Sequence, residues 1–504
     1  MAQFTYRGNL GATEFPFVSS LFGRTVIIGQ ADQNATREIS KDSGLPQAYY
    51  LHNVLPTPLG FGAVGYETQS GSTSSLTGIT DVHVVYGTDG ARAYICRSDQ
   101  GIGVYQLPGR VFTLLLPLAA PYNSSPVTTA IVNGKCYFYV SGYGCYTYEP
   151  TTNALTTVTL LGLVASEILG VCAANGYLIA YSATYVVWSS TINPEDFVPS
   201  LLTGAGGGSV QNIKGDIVTV LPTNTGLAIF STTNAVATIY QGNQRYPYEY
   251  VEITGSGGVA GSEYVTYDTN TGNLFAYTTF GLQRITSRVA ELVFPDATDF
   301  LAGQIFEDFN ETALTFTQTD LTSALQKKLS LISARYLVIS YGVTSLTHAI
   351  VYDLAQRRWG KLKITHSDCF EYVLLDQTIS DIPKKSIAFT TSAGVVSTVN
   401  TDQKSASRNG VLLLGKFQYI RSRLMTLQNV SVENIEASWT CTCHDFYTRD
   451  GANFQTPVAF AGTQVGKSKS FAGLQVGYNH SVLLKGAFSA NTLILVFSLH
   501  GKSN

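Results

Sequence analysis

The chain has 504 residues and a formal net charge of −3, with 13% charged residues against 45% hydrophobic ones. This length permits several domains, and the near-neutral charge excludes a global basic field that would draw the chain onto nucleic acid. Tyr (30), Phe (25) and Gly (47) are abundant. They favour strands and turns, so the composition reads all-β, and the low charge points to a surface covered by other subunits.

Met1–Arg7 is not apolar enough to open a secretory leader. The seven scattered cysteines (96, 136, 145, 172, 369, 441 and 443) then read as free thiols made in a reducing cytosol. Residues 1–75 read as an extended N-terminal arm or cap, and Pro56 and Pro58 argue against a central strand there.

A repeat begins after the cap and runs over 76–400. Asp89-Gly90, Asn133-Gly134, Asn175-Gly176, Thr225-Gly226 and Thr271-Gly272 lie 44, 42, 50 and 46 residues apart, each ahead of an aromatic or β-branched run. Each unit is a turn glycine, an apolar strand, a Ser/Thr-rich reversal and a second apolar strand. Such a hairpin cannot bury both faces alone, and the period is that of propeller blades. The expectation is a β-propeller of about six to seven blades; a large irregular β-sandwich is the alternative. Ala154–Ala174 carries one charge, Glu167, but its threonines and glycines fit two buried strands joined by a turn better than a membrane span.

The rhythm breaks near 296–330. Phe300, Leu301, Ile305 and Phe309 have helix-like spacing, and Ala324 to Lys328 are good helix formers, so a helical insertion is expected. Hairpins resume from Tyr336 to Val399. Asp402–Asn409 reads as a linker, and 410–504 as a C-terminal β-sandwich-like domain.

Chemistry is sparse. Cys441-x-Cys443-His444 lacks a second ligand pair and reads as strand packing. Gly204–Gly208 lacks the Gly-Lys-Ser/Thr ending of a phosphate loop and reads as a flexible loop. Tyr240–Tyr250, with one arginine among four tyrosines, suits a protein interface better than single-stranded nucleic acid. No nucleophile elbow and no paired carboxylates stand out, so no catalytic, cofactor-binding or metal-ligating residue is assigned, and the chain is expected not to be an enzyme.

Val187-Trp188-Ser189-Ser190-Thr191-Ile192-Asn193-Pro194-Glu195-Asp196-Phe197-Val198-Pro199 is the most distinctive stretch. Asn193-Pro194 starts a turn, flanked by Trp188 and Phe197, which can pack over it. With the glycine run that follows, the Ile239-Tyr240-Gln241-Gly242 strand, and Tyr352-Asp353-Leu354 ahead of Arg358-Trp359-Gly360, it resembles tail proteins of short-tailed bacteriophages. That group is variously called tail nozzle, tail tubular protein B-like or packaged-DNA stabilisation protein. The clear matches cover about 175–285 and 335–375. Trp188, Asn193, Pro194, Phe197, Tyr352 and Trp359 are structural positions in this resemblance, not catalytic ones.

The resemblance implies a virion structural protein, assembled in the bacterial host cytoplasm as a six-fold homo-oligomeric ring. Such a ring stacks on an upstream tail adaptor ring and can carry fibres or spikes. It passes double-stranded DNA through its lumen, with no cofactor and no membrane span. A receptor- or carbohydrate-binding propeller of a phage tail is the alternative function.

Overall fold

Asn133-Gly134 and Asn175-Gly176 explain how the fold begins. All four residues have positive φ (52°, 76°, 53° and 85°), the geometry of a two-residue hairpin turn that matches strand twist and that Asn and Gly adopt at least cost. Each turn reverses the chain between two apolar strands, Val127–Val132 into Lys135–Val140 and Gly170–Ala174 into Tyr177–Tyr181. Two further strands complete each unit, giving an antiparallel sheet of four.

This computed structural model describes residues 3–9, 26–28, 48–57, 60–69, 76–87, 92–106, 110–243, 247–268, 271–286, 288–302, 305–310, 312–320, 325–374, 384–400, 409–419, 425–434, 440–448, 458–465, 468–477 and 479–499. The expected turn at Asp89-Gly90 and most of the expected linker at 402–409 lie outside them.

Seven four-stranded units follow one another as the blades of a β-propeller. Their first strands are Thr80–Tyr86, Val127–Val132, Gly170–Ala174, Ile217–Thr223, Val265–Tyr267, Gln326–Ile332 and Asp368–Leu374. All seven line one central cavity of about 660 Å³.

The core is divided among the seven seams between blades, as stacked sheets require. Phe138 and Ile95 share the seam between blades 1 and 2, and Tyr139 and Leu178 the next. Ile179 packs with Ile229, and Phe230 with Leu274. Leu282 meets Ile339, and Val338 meets Phe389. Tyr94 and Tyr372, stacked at 5.7 Å, close the circle between blades 1 and 7.

Closure also uses a strand from the chain start. Gly65–Thr68 is the outermost strand of the seventh blade, pairing with Val396–Asn400. The other early strands extend the C-terminal block: Gln3–Asn9 lies against Ser489–Leu499, and Val26–Ile28 and Ala48–His52 against Gly410–Tyr419.

In that block Val458–Val465 pairs with Thr440–Thr448 through its first residues and with Ser468–Gly477 through its last, so one strand joins the two halves of a folded-over sheet. Ser489–Leu499 then meets Gly60–Ala63, which links the block to the propeller through Val54–Thr57 and the sixth blade.

Four local expectations are corrected. Pro56 does sit in a strand between neighbours, Val54–Thr57. The pairing to the sixth blade is confined to Val54 with Lys361, which leaves the proline position free of a ladder bond on that side.

The helix near 296–330 is limited to Pro295–Ala302. Ile305–Asn310 and Thr315–Asp320 form a hairpin, and Gln326–Ile332 is an inner propeller strand despite its helix-forming residues. Ala154–Val158 and Gly170–Ala174 belong to successive blades, the former largely exposed, rather than to one buried hairpin. Gly206–Ser209 is the outer strand of the third blade, not a loose loop.

Candidate functional site

The third blade carries a long elaboration of the repeat. Between Tyr185–Trp188 and Gly206–Ser209 the chain makes a long excursion over residues 189–205. It is densely self-bonded. Ser190 Oγ accepts from the amides of Ile192 (3.0 Å) and Asn193 (3.3 Å), and Asn193 Oδ1 accepts from the Glu195 amide at 3.1 Å. Asp196 Oδ1 accepts from the Val198 amide at 3.0 Å, and the Ser190 amide donates to the Asp196 carbonyl at 2.7 Å. These are the side-chain-capped turns for which Ser, Asn and Asp are suited, and Pro194 fixes the step between two of them.

Trp188 and Phe197 anchor the excursion at its two sides rather than packing over one turn. Trp188 faces the fourth blade, its Nε1–H donating to the Gly204 carbonyl at 2.9 Å and its ring edge-on to Tyr248 at 5.6 Å. Phe197 faces the second blade, buried with Tyr139 and Leu178. Its amide donates to the Leu161 carbonyl at 2.9 Å, and the Leu161 amide donates to the Glu195 carbonyl at 2.8 Å, tying the excursion to the segment after Ala154–Val158.

What this scaffold presents to solvent is apolar. Ile192 is 76% exposed, Leu201 70% and Leu202 89%, with Leu161, Val164 and Val198 about half exposed beside them. Two backbone bonds hold these residues as one ridge. The Thr191 amide donates to the Thr203 carbonyl at 3.0 Å, and Leu161 bridges Asp196 in parallel. Exposed apolar side chains gathered along one segment are the kind of surface that contacts with other molecules use.

Tyr352 and Trp359 lie elsewhere, paired across two strands of the sixth blade with rings 4.8 Å apart. Phe294 packs against both, tilted at 4.3 Å from Tyr352 and edge-on at 5.0 Å from Trp359, joining the residues ahead of the Pro295–Ala302 helix to the sixth blade. Their role is to hold a seam.

Ion pairs join neighbouring blades beside the central cavity. Lys328 Nζ lies 3.1 Å from Asp81 and 2.8 Å from Asp368, linking blades 1, 6 and 7, and Arg97 Nε lies 3.2 Å from Asp81. Burial alone would raise the Asp81 carboxyl, but the Lys328, Arg97 and His83 charges outweigh it and hold it at about 2. The same two carboxylates overcome burial and hold the Lys328 ammonium above its usual range. Composition gave no sign of this network.

Thiol chemistry is disfavoured at Cys96, Cys136, Cys145, Cys172, Cys369 and Cys443, which are all buried. Burial pushes Cys136, Cys145 and Cys172 up to about 12, far from the thiolate form at neutral pH. Cys443 is buried, His444 Nε2 lies 3.1 Å from Thr442 Oγ1, and among the described residues no three His, Cys, Asp or Glu side chains converge on a metal position. No helix among the described residues is long and apolar enough to cross a membrane.

No protein-family model matches the chain, and no curated protein does. Solved structures resemble it in general architecture. The extracellular domain of a one-component system of B. thetaiotaomicron is 10% identical, with a TM-score of 0.39 over 80% of this chain and 47% of that one. The chain thus spans about half the length of that relative. A virginiamycin B lyase of Staphylococcus aureus with quinupristin is 9% identical, with a TM-score of 0.38 over 66% of this chain and 99% of the other. YCF48 bound to a D1 peptide is 10% identical, with a TM-score of 0.39 over 71% and 100%.

Proposed function

We propose that this protein is a structural component of a short-tailed phage virion, one copy in the ring that forms the distal tail nozzle and retains packaged DNA until ejection. The observation that carries the reading is the excursion over residues 189–205. The segment on which the resemblance rests is a hydrogen-bonded strut whose exposed residues include Ile192, Val198, Leu201 and Leu202, a surface suited to assembly.

In this reading the DNA runs between copies rather than down the propeller axis. The Lys328, Asp81 and Asp368 pairs join the neighbouring blades 6, 7 and 1 beside the central cavity, and widening it would strand buried charges. The protein then acts by assembly and not by catalysis, alongside an upstream adaptor ring and with tail fibres or spikes as further neighbours. A near-neutral wall suits the task, because a strongly basic lumen would hold a duplex that has to slide.

The test is antibody labelling of purified virions by electron microscopy, together with DNA retention in particles made without the protein. Label at the distal tail tip and leakage of the genome from deficient particles are expected. Absence of the protein from virions overturns the reading.

A further inference from the structure

Blades 1, 5, 6 and 7 enclose another cavity, of about 620 Å³, at the end of the axis where the inner strands begin. Thr80 and Gln326 open the inner strands of blades 1 and 6, and Ser367 stands just ahead of that of blade 7. The turn Ser262–Tyr264 leads into the inner strand of blade 5. This pocket and the central cavity share Asp81, Glu263 and Lys328, so the one is the mouth of the other.

Most charge at the mouth is neutralised within the fold. Lys328 is held between Asp81 and Asp368, and Arg97 lies on Asp81. Lys327 and Glu263 are different: both line the pocket, and among the described residues no ion pair reaches either. The Lys327 ammonium lies 4.6 Å from the centre of the Tyr277 ring, which orients it without cancelling its charge. It is half-buried, and burial lowers it from its ordinary range, the mark of a cation short of counter-charge. Glu263 is exposed, its carboxylate folded back over Gly261. Tyr264, next to it in the chain, packs on the same Tyr277 at 6.3 Å, so ammonium and carboxylate are arranged around one aromatic wall.

We propose that this mouth takes a short apolar peptide with free ends, its carboxylate on Lys327, its ammonium on Glu263 and its side chains towards the central cavity. The inference is separate from the assembly reading and needs no second copy of the chain.

Charge and shape select that ligand class. One cation and one anion, each without an internal partner, suit a molecule that carries both charges. A phosphate ester would satisfy Lys327 and meet like charge at Glu263, and a polyamine would do the reverse. The volume exceeds that of a single amino acid and falls in the range of pockets that enclose a small ligand. Beyond the charged groups, Val127, Val171, Val220 and Val265 offer apolar side chains a surface on which to bury.

The experiment is calorimetric titration of the full chain with leucyl-leucine, with its N-acetyl form and with its C-terminal amide. Leucyl-leucine is expected to bind saturably and to raise the melting midpoint. Each blocked form is expected to bind about tenfold more weakly, the change that losing one charged contact brings. In Lys327→Met, shown folded by melting, the amide and the free peptide are expected to bind alike. In Glu263→Gln, a change at an exposed side chain, the N-acetyl form and the free peptide are expected to bind alike. Lys135→Met, an exposed lysine outside the pocket, is expected to bind as the wild type does. Absence of saturable binding by leucyl-leucine, equal binding of a blocked form to the wild type, or unchanged discrimination in both pocket variants overturns the inference. None of these results touches the assembly reading, which is decided on virions.

Discussion

At the scale of single residues, buried ionisable groups set how the fold answers acid. His366 is buried, with Nδ1 2.7 Å from the Ile364 carbonyl and Nε2 2.8 Å from Ser340 Oγ. The first nitrogen donates and the second accepts from the hydroxyl, which is the neutral ring. Burial holds this imidazole down at about 4, against the weaker raising effects of the Ile364 carbonyl and Asp368. An unfolded histidine takes its proton near ~6.5, so the unfolded chain binds more protons between that value and 4. His366 therefore leaves stability intact above ~6.5 and subtracts from it as pH falls towards 4, by up to roughly 3 kcal/mol. Burial lowers His83 as well and acts in the same direction. Asp81, held at about 2, answers in a separate window: its contribution is present above the ordinary carboxylate range and is lost as pH falls through 2. Urea midpoints from pH 7 to 4 are expected to fall in the wild type and to fall clearly less in His366→Gln. An unchanged slope in that variant would assign the acid response to other groups.

At the scale of elements, the excursion of the third blade depends on its tryptophan. Trp188→Phe leaves the Gly204 carbonyl without its indole donor and thins the contact with Tyr248. The expected cost is about 1–3 kcal/mol, read as a lowered thermal midpoint with the far-ultraviolet spectrum unchanged. The same element shows what a sequence can and cannot disclose. Asn133-Gly134 and Asn175-Gly176 announce hairpins because the positive φ they need is a local property of two residues. Trp188 and Asn193 were legible as turn anchors for a similar reason, but the side each aromatic faces depends on neighbouring blades, and the exposed Leu201 and Leu202 look in sequence like core residues. Ala324 to Lys328 reads as helix by propensity. Lys328 instead joins an inner strand because Asp81 and Asp368, distant in sequence, converge on it. Long-range pairing overrides local preference there, and no window of adjacent residues reports it.

At the scale of the whole molecule, the propeller closes on a strand from outside its own repeat. Gly65–Thr68 completes the seventh blade beside Val396–Asn400, and Gln69 adds a backbone bond to the Val396 carbonyl at 2.8 Å and a side-chain bond to Thr398 at 2.9 Å. Residues from the same early segment fill neighbouring seams: Leu55 and Val64 are buried between blades 6 and 7, and Phe61 is buried in strand Gly60–Ala63, which pairs with Ser489–Leu499. A chain beginning at residue 76 would keep six complete blades and lose the outer strand of the seventh. Three large buried side chains at roughly 1.5–3 kcal/mol each, before counting ladder bonds, are comparable to the whole net stability of a typical domain. The shortened chain is therefore expected to melt early and with low cooperativity, and to be cut by protease within Val396–Asn400, which becomes the new edge. Adding a synthetic peptide spanning residues 48–69 is expected to restore protease resistance in a saturable way. Lack of rescue, with the shortened chain otherwise as stable as the full one, would mean that the ring is closed by its seven inter-blade seams alone and that the early strand serves only to tether the C-terminal block.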